Sequence, residues 1–280
     1  MAAEILYSIT DGVATIILNR AQRRNAVTQV MQEQYFDALE RADADPAVRA
    51  ILVTGAGDRA FSVGADMQGL QQITQSANPG GNDVEDAMFG KEQRSTAQIQ
   101  ALRIRKPIVC AINGSAAGIG LVFALMADVR FVARGAKLTT AFAKRGLVAE
   151  HGCSWLLPRV VGVARALDLL LSSRIVRGAE AKELGLANFL CEDSAATKAA
   201  ARAYACDLAA NVSPASMAAI KRQVYEHADS TLQAAYDESS ALMLSSFAHP
   251  DFTEGVESFV ERRQARYPGI HGDGTLHSRL

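Results

Sequence analysis

Ala50 to Thr54 reads AILVT, a short run that is apolar at every position but its last. A strand with one wet face alternates apolar and polar residues, so an unbroken run predicts a strand covered on both faces. IVCAI (Ile108 to Ile112) repeats the pattern directly after Lys106-Pro107, which ends a preceding helical stretch. A helical segment from Gly120 to Met126 and a further strand, VRFVA (Val129 to Ala133), follow at once. Strand, helix and strand in quick succession imply a layered α/β architecture. With 280 residues, 49% of them hydrophobic and 21% charged, the chain can bury such layers as one large domain or a domain with an appendage.

The flanking segments read as follows. ILYSI and VATIIL around Asp11-Gly12 predict a two-residue hairpin. Thr28 is placed to cap a helix running to about Ala42, with Met31, Tyr35 and Leu39 at helical spacing and Asp45-Pro46 ending it. Gln75 to Gly90 is rich in Gly, Asn, Ser and Asp, the composition of a surface excursion, with helix resuming near Lys91. Beyond Gly162 the chain becomes Ala-rich and helical near Arg165–Leu171, Ala179–Leu184, Ala195–Ala210 and Pro214–His227. A last helix carries Phe252, Val256, Phe259 and Val260 as one apolar stripe. This gives a core over residues 1–200, a helical C-terminal region over 201–267 and a flexible tail over 268–280.

Charge and cysteine usage exclude several function classes. Lys+Arg 29 against Asp+Glu 30 leaves a net charge of -1, so no global field draws the chain to nucleic acid or an anionic membrane. The longest apolar stretch, Ile119 to Ala127, is far short of the roughly 20 residues of a spanning helix, and the first residues do not read as a signal peptide. A cytoplasmic protein is expected. Cys110, Cys153, Cys191 and Cys206 form no C-x-x-C pair and read as reduced thiols in the core, and the five histidines show no ligand spacing, so no metal is expected.

Three glycine-bearing segments are candidates for chemistry. Gly55-Ala56-Gly57-Asp58-Arg59-Ala60 is a G-x-G-x-x-A after a strand, but no helix opens from it and no acid follows at the spacing of a ribose ligand, which argues against a dinucleotide fold. The second, Ala60 to Met67 (AFSVGADM), and the third, Ile112 to Leu121 (INGSAAGIGL), each follow a buried strand and open towards a helix. Either alone is read as a tight turn. Together they offer two sets of outward backbone amides, which converging on one oxygen would make an oxyanion hole.

FSVGADM and KPIVCAINGSAAGIG resemble the F-x-x-G-x-D-[IM] and K-P-x-[IV]-x-[AV]-[IV]-N-G-x-[AC]-x-G-x-G segments of the enoyl-CoA hydratase/isomerase (crotonase) superfamily. The resemblance extends from LNRAQRRNAVT through AEAKELGLAN to FVERRQARY, nearly the whole chain. It implies an α/β fold of the ClpP/crotonase type, a spiral of β-β-α turns with a helical C-terminal trimerisation region, assembled as a homotrimer or a dimer of trimers. The implied substrate is an acyl-CoA thioester, with coenzyme A as part of the substrate and no separate cofactor. Carried over by motif position, the oxyanion donors are the N–H groups of Ala65 and Ile119, the latter where the family often has glycine. Arg24, Ala26, the backbone from Ser62 through Val63, Gly64, Ala65 and Asp66 to Met67, and Gly118 resemble the substrate-contacting surface. Arg24 reads equally as a solvated charge, and Asp66 as a cap or structural carboxylate before a catalyst.

The hydratases of that family use two glutamates, and neither position is acidic here: Val122 stands at the first and Phe142 at the second. Glu150, eight residues after Phe142, resembles the aspartate that some double-bond isomerases and the chlorobenzoyl-CoA dehalogenases of the superfamily carry there. In an apolar pocket with Phe142, Val122 and Trp155 its pKa is expected to rise, which suits a group that takes and returns a proton. The competing reading of Glu150 is a surface glutamate, and His151 is expected to orient or support rather than catalyse. Isomerisation and one-acid hydration of an enoyl-CoA both fit a single carboxylate, and attack of a dehalogenase kind fits less well. A non-catalytic acyl-CoA binder or assembly subunit that lost both glutamates is the alternative. A Clp-like Ser-His-Asp hydrolase is disfavoured, because no histidine is placed to serve Ser115.

Overall fold

The computed structural model describes residues 3–69, 71 and 99–270. The chain opens with the expected hairpin, β1 (Ile5–Thr10) antiparallel to β2 (Val13–Leu18). Asp11 and Gly12 take φ of 55° and 73°, the two positive values that let a two-residue turn follow the twist of its strands. Helix α1 (Gln29–Ala44) is capped by Thr28, whose hydroxyl accepts from the Met31 N–H at 3.0 Å, and it buries Met31, Tyr35 and Leu39.

Three strand pairs then rise in succession: β3 (Ala50–Gly55) with β4 (Ala60–Ser62), β5 (Ile108–Ile112) with β6 (Ser115–Ala117), and β7 (Val129–Ala133) with β8 (Lys137–Thr139). The first member of each pair joins one sheet and the second joins another. The larger sheet has the order β1-β2-β3-β5-β7-β10, where β10 is Phe189–Cys191, and is parallel from β2 onwards. The smaller has the order β4-β6-β8-β9, where β9 is Val176–Arg177 and pairs antiparallel. Each coil of the chain therefore lays one strand in each sheet before a helix returns it, the β-β-α spiral. The short helix α2 (Gln100–Arg103) leads into β5, and α3 (Ile119–Leu125) follows β6. The expected excursion at 75–90 and the helix near Lys91 lie outside the described residues.

The two-sided burial of β3 is visible in its alternation. Ile51 and Val53 face the main core with Ile16, Ile108, Cys110 and Ile112, whereas Ala50 and Leu52 face the other way with Val13, Val109, Ala111 and Phe131. That second face is covered by α7 (Ser194–Asn211) through Ala201, Ala205 and Ala209, small residues at a four-residue interval that let the helix lie close on the sheet. The position read from sequence as the end of the core, residue 200, lies inside this helix.

Between β8 and α7 lie α4 (Cys153–Val161), α5 (Val163–Ser172) and α6 (Gly178–Leu184). The C-terminal region continues as α8 (Pro214–His227), α9 (Leu232–Phe247) and α10 (Pro250–Glu261). Ser213 and Pro214 open α8 as cap and first-turn residue, the Ser213 hydroxyl accepting from Ser216 N–H at 3.1 Å. Of the tail, residues 268–270 are described, and Gly269 lies against the Pro46 carbonyl. Among the described residues no helix is long and apolar enough to cross a membrane. All four cysteines are free, with Cys110 and Cys153 buried and Cys191 and Cys206 partly so.

Candidate active site

Two buried asparagines tie together the turns that leave the strands. Asn113, just after β5, accepts the Gly55 N–H at 3.0 Å through Oδ1 and donates to the Gly57 carbonyl at 3.1 Å. From the other side Asn25, at φ 55°, donates through Nδ2 to the carbonyls of Ala56 at 3.0 Å and Ala60 at 2.9 Å. These side chains satisfy carbonyls that a tight, dry turn would leave orphaned. A Cβ on Gly114 would lie 2.5 Å from the Arg59 carbonyl carbon, so the exit of β5 is clamped against the entry of β4. The G-x-G-x-x-A of residues 55–60 accordingly runs from β3 into strand β4, where a dinucleotide site requires a helix.

The second and third glycine segments meet backbone to backbone. A Cβ on Gly64 (φ 93°) would sit 2.8 Å from the Ala117 oxygen and 3.7 Å from Gly118 Cα. One on Gly118 (φ 51°) would sit 3.9 Å from both Gly64 Cα and the Phe142 ring carbon Cε1. The contact lies immediately before Ala65 and Ile119. On either side of the Ala65 amide the Gly64 carbonyl accepts from Val27 N–H and Asp66 N–H donates to the Val27 carbonyl, both at 2.8 Å, while Ile119 is the first residue of α3. A first-turn N–H has no acceptor within its helix. Neither amide has an acceptor among the described residues. The positive φ that the third segment needs is carried by Gly118, so Ile119 keeps helical torsions and its side chain is no obstacle to its amide. Gly120 lets α3 approach β4, since a Cβ there would fall 2.5 Å from the Ser62 carbonyl oxygen.

The other candidate residues surround this contact in distinct roles. The Ser62 hydroxyl is buried and donates to the Asn25 carbonyl at 2.7 Å, so its side chain is spent on the scaffold. The Arg24 carbonyl accepts from Val63 N–H at 3.2 Å, while its side chain is exposed, as is Met67. Buried Ala26 offers its carbonyl to Arg20 Nη1 at 2.7 Å. The same Nη1 reaches Asp66 Oδ2 at 2.8 Å, and Asp66 Oδ1 accepts from Gln68 N–H at 3.0 Å. Arg20 holds the Asp66 carboxyl below the usual carboxylate range. Asn25, Asn113 and Arg20 were not singled out from sequence. An asparagine between an apolar strand and a glycine, as at Asn113-Gly114, is the signal that marks a buried clamp.

Val122, on α3, and Phe142 are both buried, with the Phe142 ring against Gly118. Glu150 lies on the turn entering α4, where its carbonyl accepts from Cys153 N–H at 2.9 Å. Its side chain is 22% exposed, and burial alone raises its pKa. Next to it His151, 7% exposed and at φ 55°, sets Nε2 3.7 Å from Glu150 Oε2, and burial lowers the imidazole to about 4. Trp155 packs on the main core with the Arg159 guanidinium over its ring at 3.8 Å. His227 pairs with Glu238 at 2.9 Å and His249 stands 3.5 Å from Asp251, and no metal-binding cluster occurs among the described residues.

Residues 8–269 match the model of the enoyl-CoA hydratase/isomerase family. The 1,2-epoxyphenylacetyl-CoA isomerase of Escherichia coli (strain K12) is 31% identical over 95% of this chain and 98% of its own length. An enoyl-CoA hydratase of Alternaria alternata is 33% identical over 95% and 88%. A probable enoyl-CoA hydratase/isomerase of Mycobacterium abscessus superposes with a TM-score of 0.85 at 32% identity, covering 95% of this chain and 99% of the other. With the spiral of paired strands and the two glycine turns in contact, these likenesses show that the chain belongs to the enoyl-CoA hydratase/isomerase family and has the crotonase fold.

Proposed function

We propose that the protein is an acyl-CoA-processing enzyme that stabilises a thioester enolate, with Glu150 as its single acid/base, and that it shifts the double bond of an enoyl-CoA. The observation that carries this reading is the contact of Gly64 with Gly118, beside the amides of Ala65 and Ile119 on adjoining turns, neither of which has an acceptor among the described residues. Two such donors aimed at the thioester oxygen stabilise the negative charge that develops there, and the α3 N-terminus adds its dipole. Glu150 takes a proton from Cα or Cγ, the electron pair moves onto the thioester oxygen, and the carboxylic acid returns the proton at the other end of the conjugated system. A carboxyl raised by burial is suited to both halves of that exchange.

Isomerisation is favoured over hydration because Val122 and Phe142 are buried hydrocarbons, leaving no second acid at those positions to orient water. The relatives include proteins named as isomerases as well as hydratases, so both reactions occur among proteins similar to this chain. Coenzyme A enters as part of the substrate, along the surface of Arg24, Ala26 and residues 62–67. The enzyme is taken to act in the cytoplasm.

Glu150→Gln keeps the size of the side chain and removes proton exchange. It is expected to lower turnover by about 10² to 10⁴ with acyl-CoA binding nearly unchanged. Solvent deuterium incorporation at Cα or Cγ of an enoyl-CoA, read by mass spectrometry, measures it directly. Exchange at the wild-type rate in the variant would sink the single-acid mechanism, and no exchange above background in wild type, with the CoA thioester bound, would favour a binding subunit.

A further inference from the structure

We infer that His151 is a positioning residue for Glu150, its Nε2–H holding the carboxylate in the one rotamer that serves the reaction. This rests on the reading of Glu150 as acid/base. The two side chains are adjacent in sequence, yet the backbone turns so that they converge: His151 takes φ 55° and Gly152 φ 72°, and Nε2 comes to 3.7 Å from Oε2. A left-handed conformation is uncommon for histidine and disfavoured for a residue with a Cβ. Such outliers persist where the surroundings impose them, and they cluster at functional sites.

The order of burial gives the pair a direction. The imidazole is the inner member at 7% exposed, and the carboxylate is the outer member at 22%. A glutamate at the edge of a site has many rotamers open to it, and fixing one of them is work that a neighbouring donor can do. Burial keeps the ring neutral at physiological pH, which leaves it one N–H to offer and no charge of its own. The turn itself is held, because Glu150 and Gly152 accept the first amides of α4, which is anchored by buried Cys153, Leu156 and Leu157. A separation of 3.7 Å is longer than a hydrogen bond, so the role assigned to His151 requires a small rotation of either side chain in the substrate complex.

Three variants test this, each read by kcat, KM and solvent deuterium exchange with hex-3-enoyl-CoA as the probe. His151→Asn tolerates the left-handed backbone, but its amide is too short to reach Oε2. His151→Gln keeps a donor of similar reach. We expect His151→Asn to lower kcat by about 10-fold to 100-fold with KM within about twofold, and His151→Gln to recover to within about fivefold of wild type. In the Glu150→Gln background, His151→Asn should add no further loss, since the histidine acts only through the glutamate. An unchanged kcat in His151→Asn, a Gln variant no better than Asn while both melt with wild type, or full additivity in the double variant would each overturn the inference. Failure of the Glu150 reading is seen separately, as undiminished exchange in Glu150→Gln alone.

Discussion

His151 and Glu150 are displaced in opposite directions by one cause, burial, which penalises whichever form is charged. The consequences for stability are opposite too. His151 falls from 6.5 to about 4, so its contribution is fully present above about pH 6.5 and is lost as pH falls towards 4, amounting to about 3 kcal/mol. Glu150, with a raised pKa, favours the fold at low pH and gives that up as pH rises through its folded value. Thermal melts from pH 7 to pH 4 should therefore be steeper in wild type than in His151→Gln, and parallel curves would contradict the burial of the ring. For activity, Glu150 must be ionised to accept a proton, so the acid limb of kcat/KM lies above the usual carboxylate range. Asp66 contrasts with both, because Arg20 lowers it and it serves the scaffold. Asp66→Asn should cost on the order of 1 kcal/mol at pH 7, with turnover of the folded fraction preserved. That cost shrinks as pH falls through the Asp66 carboxyl's own range, where wild type loses the same interaction. A loss of kcat without loss of stability would move Asp66 from support to chemistry.

At the scale of elements, what could be read from the chain was whatever has a local cause. The Asp11-Gly12 turn, the Thr28 cap and the two-sided AILVT strand each follow from residues within a few positions, and each stands in the fold as read. Two things were not legible. Helix α9 (Leu232–Phe247) has a cap at Thr231 but fully buries only Leu242, so no buried apolar face announces it. The second is the meeting of Gly64 with Gly118, a contact between segments far apart in sequence; the glycines announced close approach but not what they approach. Glu150 was located by resemblance, and its burial against His151 needed the turn at φ 55° that no local residue signals. The contact makes a sharp prediction. Gly64→Ala places a methyl 2.8 Å from the Ala117 oxygen at φ 93°, so either the backbone or the neighbouring turn must shift. We expect a stability loss of about 1 to 3 kcal/mol and, because the displaced turn carries the Ala65 amide, a fall in kcat of about 10-fold or more. Calorimetric melts and turnover together check this, and a stable variant with wild-type kcat would remove the contact from the catalytic argument.

At the scale of the whole molecule, the described residues of the C-terminal helices leave large apolar side chains exposed. On α10 the stripe read from sequence exists, and among the described residues it is largely uncovered: Phe259 is 84% exposed and Val260 73%, with Val256 and Phe252 about half exposed. Leu232, 87% exposed, and Tyr236, Met243, Leu244 and Phe247 continue the surface along α9, and Ile220 and Val224 carry it onto α8. Single exposed apolar residues are ordinary, but so many on three successive helices are the basis for expecting an interface there. The three helices are joined by polar contacts, among them Arg222 with Glu238 at 3.0 Å and Ser213 with Asp251 at 2.5 Å, and by the edge-to-face contact of Phe247 with Phe252 at 5.2 Å. We predict a homotrimer, or a hexamer built as a dimer of trimers, in which these helices pack between copies. Light scattering at micromolar concentration measures the assembly. Phe259→Asp and Val260→Asp place charges on the bare face without touching the core, so they should shift the population to monomer while the monomer keeps its spiral. A wild-type chain that scatters as a monomer would contradict the interface. A trimer that survives both substitutions would move it off α10 and onto the other bare apolar face, where Val163, Leu167 and Leu171 of α5 lie exposed.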